Sequence, residues 1–233
     1  MNSFIVITGA TKGIGKAIAL VFARNGFDVA TCSRNKEDLD QFMIDMEQEG
    51  VKAYTFCKDL SDKIQRIDFV EEIVKLDRTI DVLINNTGVF IPGNIHSENE
   101  GVLEKMIETN LYSAYDVTRG VLKGMIANKK GHVFNVCSTA SITPYINGGS
   151  YCISKYAMYG MTKVLREEMK EHNVRVTAIL PGATMTSSWE GVELPEERFM
   201  KAEDVAHIVW NSYQMSQRTV IEEIVMRPQL GDI

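Results

Sequence analysis

Tyr151 and Lys155 stand four residues apart in a helix-periodic stretch, so a helix there would point both side chains the same way. A phenol titrates near pH ~10, too high for ready proton transfer at neutral pH, and an adjacent ammonium favours the phenolate. The pair reads as a proton donor with a tuning cation, the equipment of general acid–base catalysis. Tyr and Lys at this spacing are common, and alone they mean little. Ser138 adds weight, because it follows the apolar run Phe134-Asn135-Val136-Cys137 and would emerge where that strand ends. Its hydroxyl suits a carbonyl oxygen held beside the phenol. Its plainer reading is a strand-end turn serine, with Thr139 and Ser141 following.

A second group of residues lies at the start of the chain. A short apolar strand runs directly into Thr8-Gly9-Ala10-Thr11-Lys12-Gly13-Ile14-Gly15, and a helix pattern begins there. Glycines let the backbone turn sharply and approach a pyrophosphate, and the helix start supplies unpaired N–H groups and a positive dipole end. Strand, glycine turn and helix in this order predict a dinucleotide site. At the end of the second strand, where an NAD site would place a carboxylate for the ribose hydroxyls, the chain has Ser33-Arg34. Arg34 can grip a 2′-phosphate through parallel charge-assisted bonds, and Lys12 is placed to approach it from the other side. NADP(H) is therefore the expected cofactor. Asp59, followed by Leu60, is placed either to meet the adenine amino group or to begin the next helix. Asn85-Asn86-Thr87-Gly88 ends the fourth strand, as a structural turn or as direct cofactor contacts at Asn86 and Gly88.

These groups need a scaffold that delivers them to one edge. Short β-branched runs over 4–8, 28–33, 52–57, 82–85, 132–137, 174–180 and near 224–226 alternate with helix-periodic stretches over 14–24, 36–49, 64–76, 102–127, 151–171 and 202–215. The strands are nearly continuous apolar runs, as expected when both sheet faces are covered. The repeated order predicts a single-domain α/β Rossmann fold with a doubly wound, mostly parallel seven-stranded sheet and helices on both faces. Right-handed crossovers then put every strand's C-terminal end on one edge. The 233 residues hold no long linker, so one NADP-binding catalytic domain over 1–233 is expected. The irregular stretch after the sixth strand predicts a substrate flap at about 183–201.

A formal net charge of −6 argues against nucleic-acid or anionic-membrane partners, which need a basic surface. Cys32, Cys57, Cys137 and Cys152 show no C-x-x-C spacing and read as buried free thiols rather than a metal site or disulfides. The N-terminal apolar run is too short for a signal peptide, and no segment approaches the ~20 apolar residues of a membrane helix. A cytoplasmic protein is expected.

Thr8-Gly9-x-x-x-Gly13-Ile14-Gly15, Asn85-Asn86-x-Gly88, Asn110, Ser138, Tyr151-x-x-x-Lys155 and Pro181-Gly182 occur together in one order. Over essentially the whole chain this resembles the short-chain dehydrogenase/reductase family. The resemblance implies that Tyr151 is the general acid in reduction, and that Lys155 lowers its pKa and binds the nicotinamide ribose. It implies that Ser138 orients the carbonyl oxygen and that Asn110 holds a water in a proton relay behind Lys155. It also implies that the segment of Pro181, Gly182, Thr184 and Thr186 meets the nicotinamide carboxamide. Thr87 and Thr184 depart from the family's more usual alanine and β-branched apolar residue.

The substrate wall is expected from Ser138, Thr139, Ala140, Tyr145, Ile146, Phe90, Met185 and Trp189, a largely apolar set suited to a medium-sized carbonyl compound. The ending from Arg218 to Pro228, with Gly231-Asp232-Ile233, is similar to bacterial sepiapterin-reductase-like members of the family, so a pterin side-chain ketone or a general carbonyl is the first expectation. A 3-oxoacyl-acyl-carrier-protein reductase is the alternative, with Lys129-Lys130 as its docking patch for an acidic carrier. A non-catalytic dinucleotide-sensing module is a distant third. By resemblance a homotetramer or homodimer is expected through the two long helices, with Tyr112, Tyr115, Tyr156, Met158 and Met161 as contributors.

Overall fold

Strands form where the β-branched runs predict them. They are β1 (Ser3–Thr8), β2 (Phe27–Ser33), β3 (Ala53–Cys57), β4 (Val82–Asn85), β5 (Gly131–Val136), β6 (Val174–Pro181) and β7 (Glu223–Met226). The computed structural model describes residues 2–186, 189, 191 and 193–233. The strands make one sheet in the order β3-β2-β1-β4-β5-β6-β7, with every pairing parallel, where the sequence predicted a mostly parallel sheet. The chain departs from β1 in both directions, so the crevice between β1 and β4 is the switch point at which α/β sheets bind ligands.

Helices α1 (Gly13–Arg24), α2 (Lys36–Gln48), α3 (Lys63–Lys75), α4 (Val102–Ile107), α5 (Ser113–Asn128), α6 (Gly149–Met169) and α7 (Ala202–Tyr213) fill the crossovers. Successive strand residues point to opposite faces, and β1 shows the consequence. Ile5 and Ile7 pack with Phe22 of α1, Phe42 of α2 and Val205 of α7, whereas Phe4 and Val6 pack with Phe69 of α3, Val121 of α5 and Leu165 of α6. Each face is thus a separate apolar layer, which makes this a single-domain Rossmann fold.

Helix starts follow local chemistry. Asn35 Oδ1 accepts from Asp38 N–H at 3.0 Å to cap α2, and Asp62 Oδ1 accepts from Gln65 N–H at 2.9 Å to cap α3. The helix predicted over 102–127 forms, with one widened turn in it. A π segment, Glu108–Tyr112, separates α4 from α5. There Thr109 Oγ1 donates to Lys105 O and Ser113 Oγ to Thr109 O, so side-chain hydroxyls occupy ladder carbonyls and the turn widens. Two expectations change. Cys32, Cys137 and Cys152 are buried, but Cys57 is exposed, because it ends the edge strand β3. Met158 is fully buried in the core, while Tyr112, Tyr115 and Tyr156 face outward. Among the described residues no helix is long and apolar enough to cross a membrane.

Candidate functional site

Gly9 and Gly13 hold φ of +68° and +54°, the left-handed region that side chains with a Cβ avoid. Ala10 N–H donates to Thr31 Oγ1 at 3.0 Å and Gly9 N–H to Cys32 O at 3.2 Å, which ties the turn to β2. A Cβ on Gly15 would lie 2.5 Å from both Asn86 Nδ2 and Gly9 O, so only glycine lets α1 start this close to β4. Helix α1 has no side-chain cap and no acidic residue in its first turn. An open N-terminus behind a glycine turn fits the pyrophosphate of a dinucleotide. Thr11 and Ile14 flank this turn and are part-buried.

At the ribose end Ser33 closes β2 and Arg34 is exposed just beyond it, with no carboxylate at that position. Lys12 is not free, since its Nζ lies 3.1 Å from Asp38 Oδ2 at the start of α2. That pair is solvent-exposed and is therefore weak. Asp59 opens the turn into the next helix: its Oδ1 accepts from both the N–H and the hydroxyl of Ser61, and its N–H donates to Gln65 Oε1. Leu60 packs its side chain into the core, and its carbonyl accepts from buried Arg66.

Asn86 also does structural work. Its Nδ2 donates to Thr8 O at 3.0 Å and Gly9 O at 2.9 Å, while Thr8 Oγ1 accepts from the N–H groups of Asn86 and Thr87. The β4 end is thereby fastened to the glycine turn. Gly88 lets the chain pass close to two polar ends, because a Cβ there would lie 3.2 Å from Asn110 Oδ1 and 3.5 Å from Lys155 Nζ.

Asn110, fully buried in the π segment, accepts from Val89 N–H at 2.7 Å and donates to Val89 O and to Ser154 Oγ. Ser154 Oγ in turn donates to Tyr151 O. Ser154 escaped sequence reasoning, although its place three residues after Tyr151 on the same helix was the available signal. Lys155, also buried, donates to Val136 O at 2.9 Å, and its Nζ lies 5.9 Å from the Tyr151 ring centroid. Burial holds the Lys155 ammonium below its usual pKa.

Ser138 caps the short turn after β5, with its Oγ accepting from Ala140 N–H at 3.1 Å, and its hydroxyl faces the Tyr151 phenol. Burial pushes that phenol up, and the Ser138 hydroxyl pulls the other way. Lys155 is not among the groups that shift the phenol in this structure, where its ammonium is directed at Val136 O. The phenol stays protonated at neutral pH, which is the form a proton donor to a carbonyl must hold.

Around this centre Phe90 meets the Tyr151 ring edge-on at 4.9 Å, and the half-exposed Tyr145 has its phenol pushed up by burial and by Tyr151 beside it. Thr139 and Ala140 are buried beneath, while Ile146 points almost wholly to solvent and does not line a wall. After β6, Gly182 N–H donates to Met226 O and Thr184 Oγ1 to Gly182 O. Thr186 reaches the glycine turn, its Cγ2 2.9 Å from where a Gly13 Cβ would be. The stem of the expected flap is pinned, with Met185 N–H donating to Met200 O and Met200 N–H to Ala183 O. Trp189 packs edge-on against Phe199 at 5.1 Å. Ser187, Ser188, Glu190 and Val192 of the expected flap lie outside the described residues. Lys129 and Lys130 precede β5 and so stand at the opposite edge of the sheet, where Lys130 Nζ binds Asp81 Oδ1 at 2.6 Å. They cannot flank the mouth of this site.

Comparison with known proteins bears on this geometry. The family model described as short chain dehydrogenase matches residues 3–197. A sepiapterin reductase of Chlorobaculum tepidum is 34% identical over 241 aligned positions, which span 100% of this chain and 99% of that protein. A 3-oxoacyl-acyl-carrier-protein reductase of Thermotoga maritima is 34% identical, with 88% of this chain and 87% of that one covered. The crystal structure of a metagenomic short-chain oxidoreductase in complex with NADP superposes with a TM-score of 0.85 at 29% identity, over 97% of each chain.

Proposed function

Because this chain belongs to the short-chain dehydrogenase family, and is an oxidoreductase of that family, we propose that it reduces a carbonyl compound to an alcohol with NADPH. The observation that carries this reading is the convergence of Ser138, Tyr151 and Lys155 from β5 and α6 at the switch-point edge. When bound, the cofactor would supply the hydride for the carbonyl carbon. Tyr151 gives its proton to the carbonyl oxygen as charge develops there, and Ser138 holds that oxygen by its hydroxyl. Lys155, fixed by Val136 O, stabilises the phenolate that results and reaches the nicotinamide ribose. Asn110 orders the path behind Lys155 through Ser154 and Val89, and it holds the relay water. Gly9, Thr11, Gly13, Ile14 and Gly15 cradle the pyrophosphate. Arg34, with Ser33 and a Lys12 released from Asp38, binds the 2′-phosphate. Pro181, Gly182, Thr184 and Thr186 meet the carboxamide.

In this reading the substrate is a pterin side-chain ketone or a similar medium-sized carbonyl, packed between Phe90, Tyr145, Met185 and Trp189 under a flap over about 183–201. A 3-oxoacyl-carrier substrate is disfavoured by the position of Lys129 and Lys130, and sensing without turnover by the complete Ser138, Tyr151 and Lys155 set. Assembly as a homotetramer or homodimer through the face bearing Tyr112, Tyr115 and Tyr156 belongs to the same reading.

The test is NADPH oxidation against a panel of pterin, diketone and 3-oxoacyl carbonyls, with Tyr151→Phe run beside the native protein. Turnover that falls about a hundredfold or more in the variant is expected. Tight NADPH binding without turnover of any carbonyl would overturn the reading.

A further inference from the structure

Tyr151 is the third residue of α6, and so lies in the first helical turn, where backbone N–H groups have no partners within the helix. That turn is poorly secured by its own sequence. Its N-cap is Gly148, which offers no side chain, and Gly149 follows, so the chain entering α6 carries the two most permissive residues available. Lys155, one turn further on, sits within the helical ladder and is held by Val136 O. The phenol and the ammonium are thus unequally anchored.

What holds the first turn comes from elsewhere. Glu98, in the loop before α4, accepts from Ser150 N–H with Oε1 at 2.9 Å and from the Ser150 hydroxyl with Oε2. A carboxylate is placed on the positive end of the helix that carries Tyr151. Two glycines make room for it. A Cβ on Gly149 would stand 2.1 Å from Glu98 Oε1, and one on Gly93 would stand 2.6 Å from Glu98 Cγ. The same loop is fastened to the entry of α6 by further bonds. Gly93 N–H donates to Asn147 O, Asn147 N–H to Asn94 Oδ1, and Asn94 Nδ2 to Asn147 Oδ1, with Asn147 held at φ +66°. Glu98 and Asn94 belong to one turn, since the N–H of Glu98 donates to Asn94 O.

We propose that Glu98 is a positioning residue for proton transfer, which locks the first turn of α6 through Ser150 and so holds the Tyr151 phenol against Ser138. The inference rests on the reading of Tyr151 as proton donor. Glu98 touches neither substrate nor cofactor in this scheme. Its effect is to keep a donor that sits at a frayable helix end within reach of one oxygen, and a displacement near 1 Å at such a contact costs about a hundredfold in rate.

The experiment compares Glu98→Ala, Glu98→Gln and Tyr151→Phe in the NADPH complex, with the best carbonyl of the panel. For Glu98→Ala, kcat is expected to fall about tenfold to a hundredfold. KM for the carbonyl and affinity for NADPH should stay within about twofold, since a proton-transfer contact acts in the transition state rather than in ground-state binding. Glu98→Gln, whose amide oxygen can still accept from Ser150 N–H, should recover most of the lost rate. Amide hydrogen exchange adds a readout that needs no turnover: faster exchange in Glu98→Ala should be confined to residues 147–153, with 158–169 unchanged. An unchanged kcat, or unchanged exchange over 147–153, would overturn the inference while a silent Tyr151→Phe kept the functional reading intact. Losses in both Glu98 variants that track melting temperature or NADPH affinity would overturn it as well, by showing a merely structural cap. Full activity in Tyr151→Phe would instead bring down the reading beneath it, and the inference with it.

Discussion

The two edges of the sheet use polar residues in opposite ways. At the amino edge the buried carboxylates Asp28 and Asp81 each bond to neighbouring segments. Asp28 accepts from Asn2 Nδ2, Lys52 N–H and Arg78 Nη1, and Asp81 accepts from Phe4 N–H and Lys130 Nζ. Burial alone would raise the Asp28 pKa, but those three hydrogen bonds and the positive charge of Arg78 together hold it below the ordinary carboxylate range. At the carboxyl edge the polar groups bond mainly to the backbone that positions them. Asn86 ties down the glycine turn, Lys155 meets Val136 O, and α1 opens with no cap. The same strands thus end in a closed network on one side and in an equipped crevice on the other. Residues of the first kind should govern stability and those of the second kind turnover.

Two substitutions press this contrast hardest. Tyr151→Phe removes one oxygen from the carboxyl edge, and kcat should drop about a hundredfold to ten-thousandfold. Its melting temperature should stay near that of the native protein, because a phenyl ring preserves the edge contact with Phe90. Asp81→Ala does the reverse. It strands the buried Phe4 N–H and unpairs Lys130, whose side chain is half-exposed and therefore adds little. A loss of about 2–3 kcal/mol of unfolding free energy is expected, with kcat at low temperature unchanged. Denaturant titration and steady-state rates on the same preparations separate the two effects. A Tyr151→Phe variant that unfolds early, or an Asp81→Ala variant that folds well but turns over slowly, would erase the distinction between the edges.

Arg34→Ala tests a residue at the carboxyl edge that binds rather than reacts. A charge-assisted bond to phosphate is worth about 1.5–3 kcal/mol, so affinity for NADPH should fall roughly tenfold to a hundredfold. Affinity for NADH, which lacks the 2′-phosphate, should barely move. Comparable losses for both cofactors would mean that Arg34 holds the β2 end rather than the phosphate.

The edges also differ in how much of them the sequence disclosed. Strand and helix positions were legible, because apolar runs and 3.6-residue periodicity depend on near neighbours. The Gly9–Gly15 turn and the Tyr151–Lys155 pair were legible for the same reason, since spacing within one element carries the signal. Features made by distant segments were not. Nothing near Glu98 announces that it reaches Ser150, and nothing near Lys12 announces Asp38. The π segment was hidden because Thr109 and Ser113 read as ordinary helix positions until their hydroxyls are seen on ladder carbonyls. Met158 has an apolar side chain like those expected at an interface, and only its phase on α6 sends it inward. Lys129 and Lys130 looked like a docking patch because sequence order does not say which edge of the sheet a turn occupies.

The amino edge offers the mildest test, because it holds a titratable group at the limit of what a core tolerates. His132 is fully buried in β5, stacked on Phe134 at 3.8 Å, with Nε2 2.8 Å from Thr177 Oγ1. Burial, and then the positive charge of Arg175, hold its pKa well below the ordinary histidine value. Tyr213 also faces it, at 6.5 Å between ring centroids, and no carboxylate side chain bonds it among the described residues. In the folded protein His132 therefore stays neutral while the unfolded chain takes up a proton near pH ~6.5. The unfolded state then binds more protons, so stability is full above that pH and declines as the pH falls through it. The slope cannot exceed about 1.4 kcal/mol per pH unit from this one group. Unfolding free energies measured between about pH 7 and pH 5.5 should show a decline that flattens in His132→Gln, which has no proton to take up. Equal slopes in the two proteins would mean that the buried His132 contributes nothing to the acid response in this range, since a carboxylate held low like Asp28 gives up its stabilisation only at lower pH.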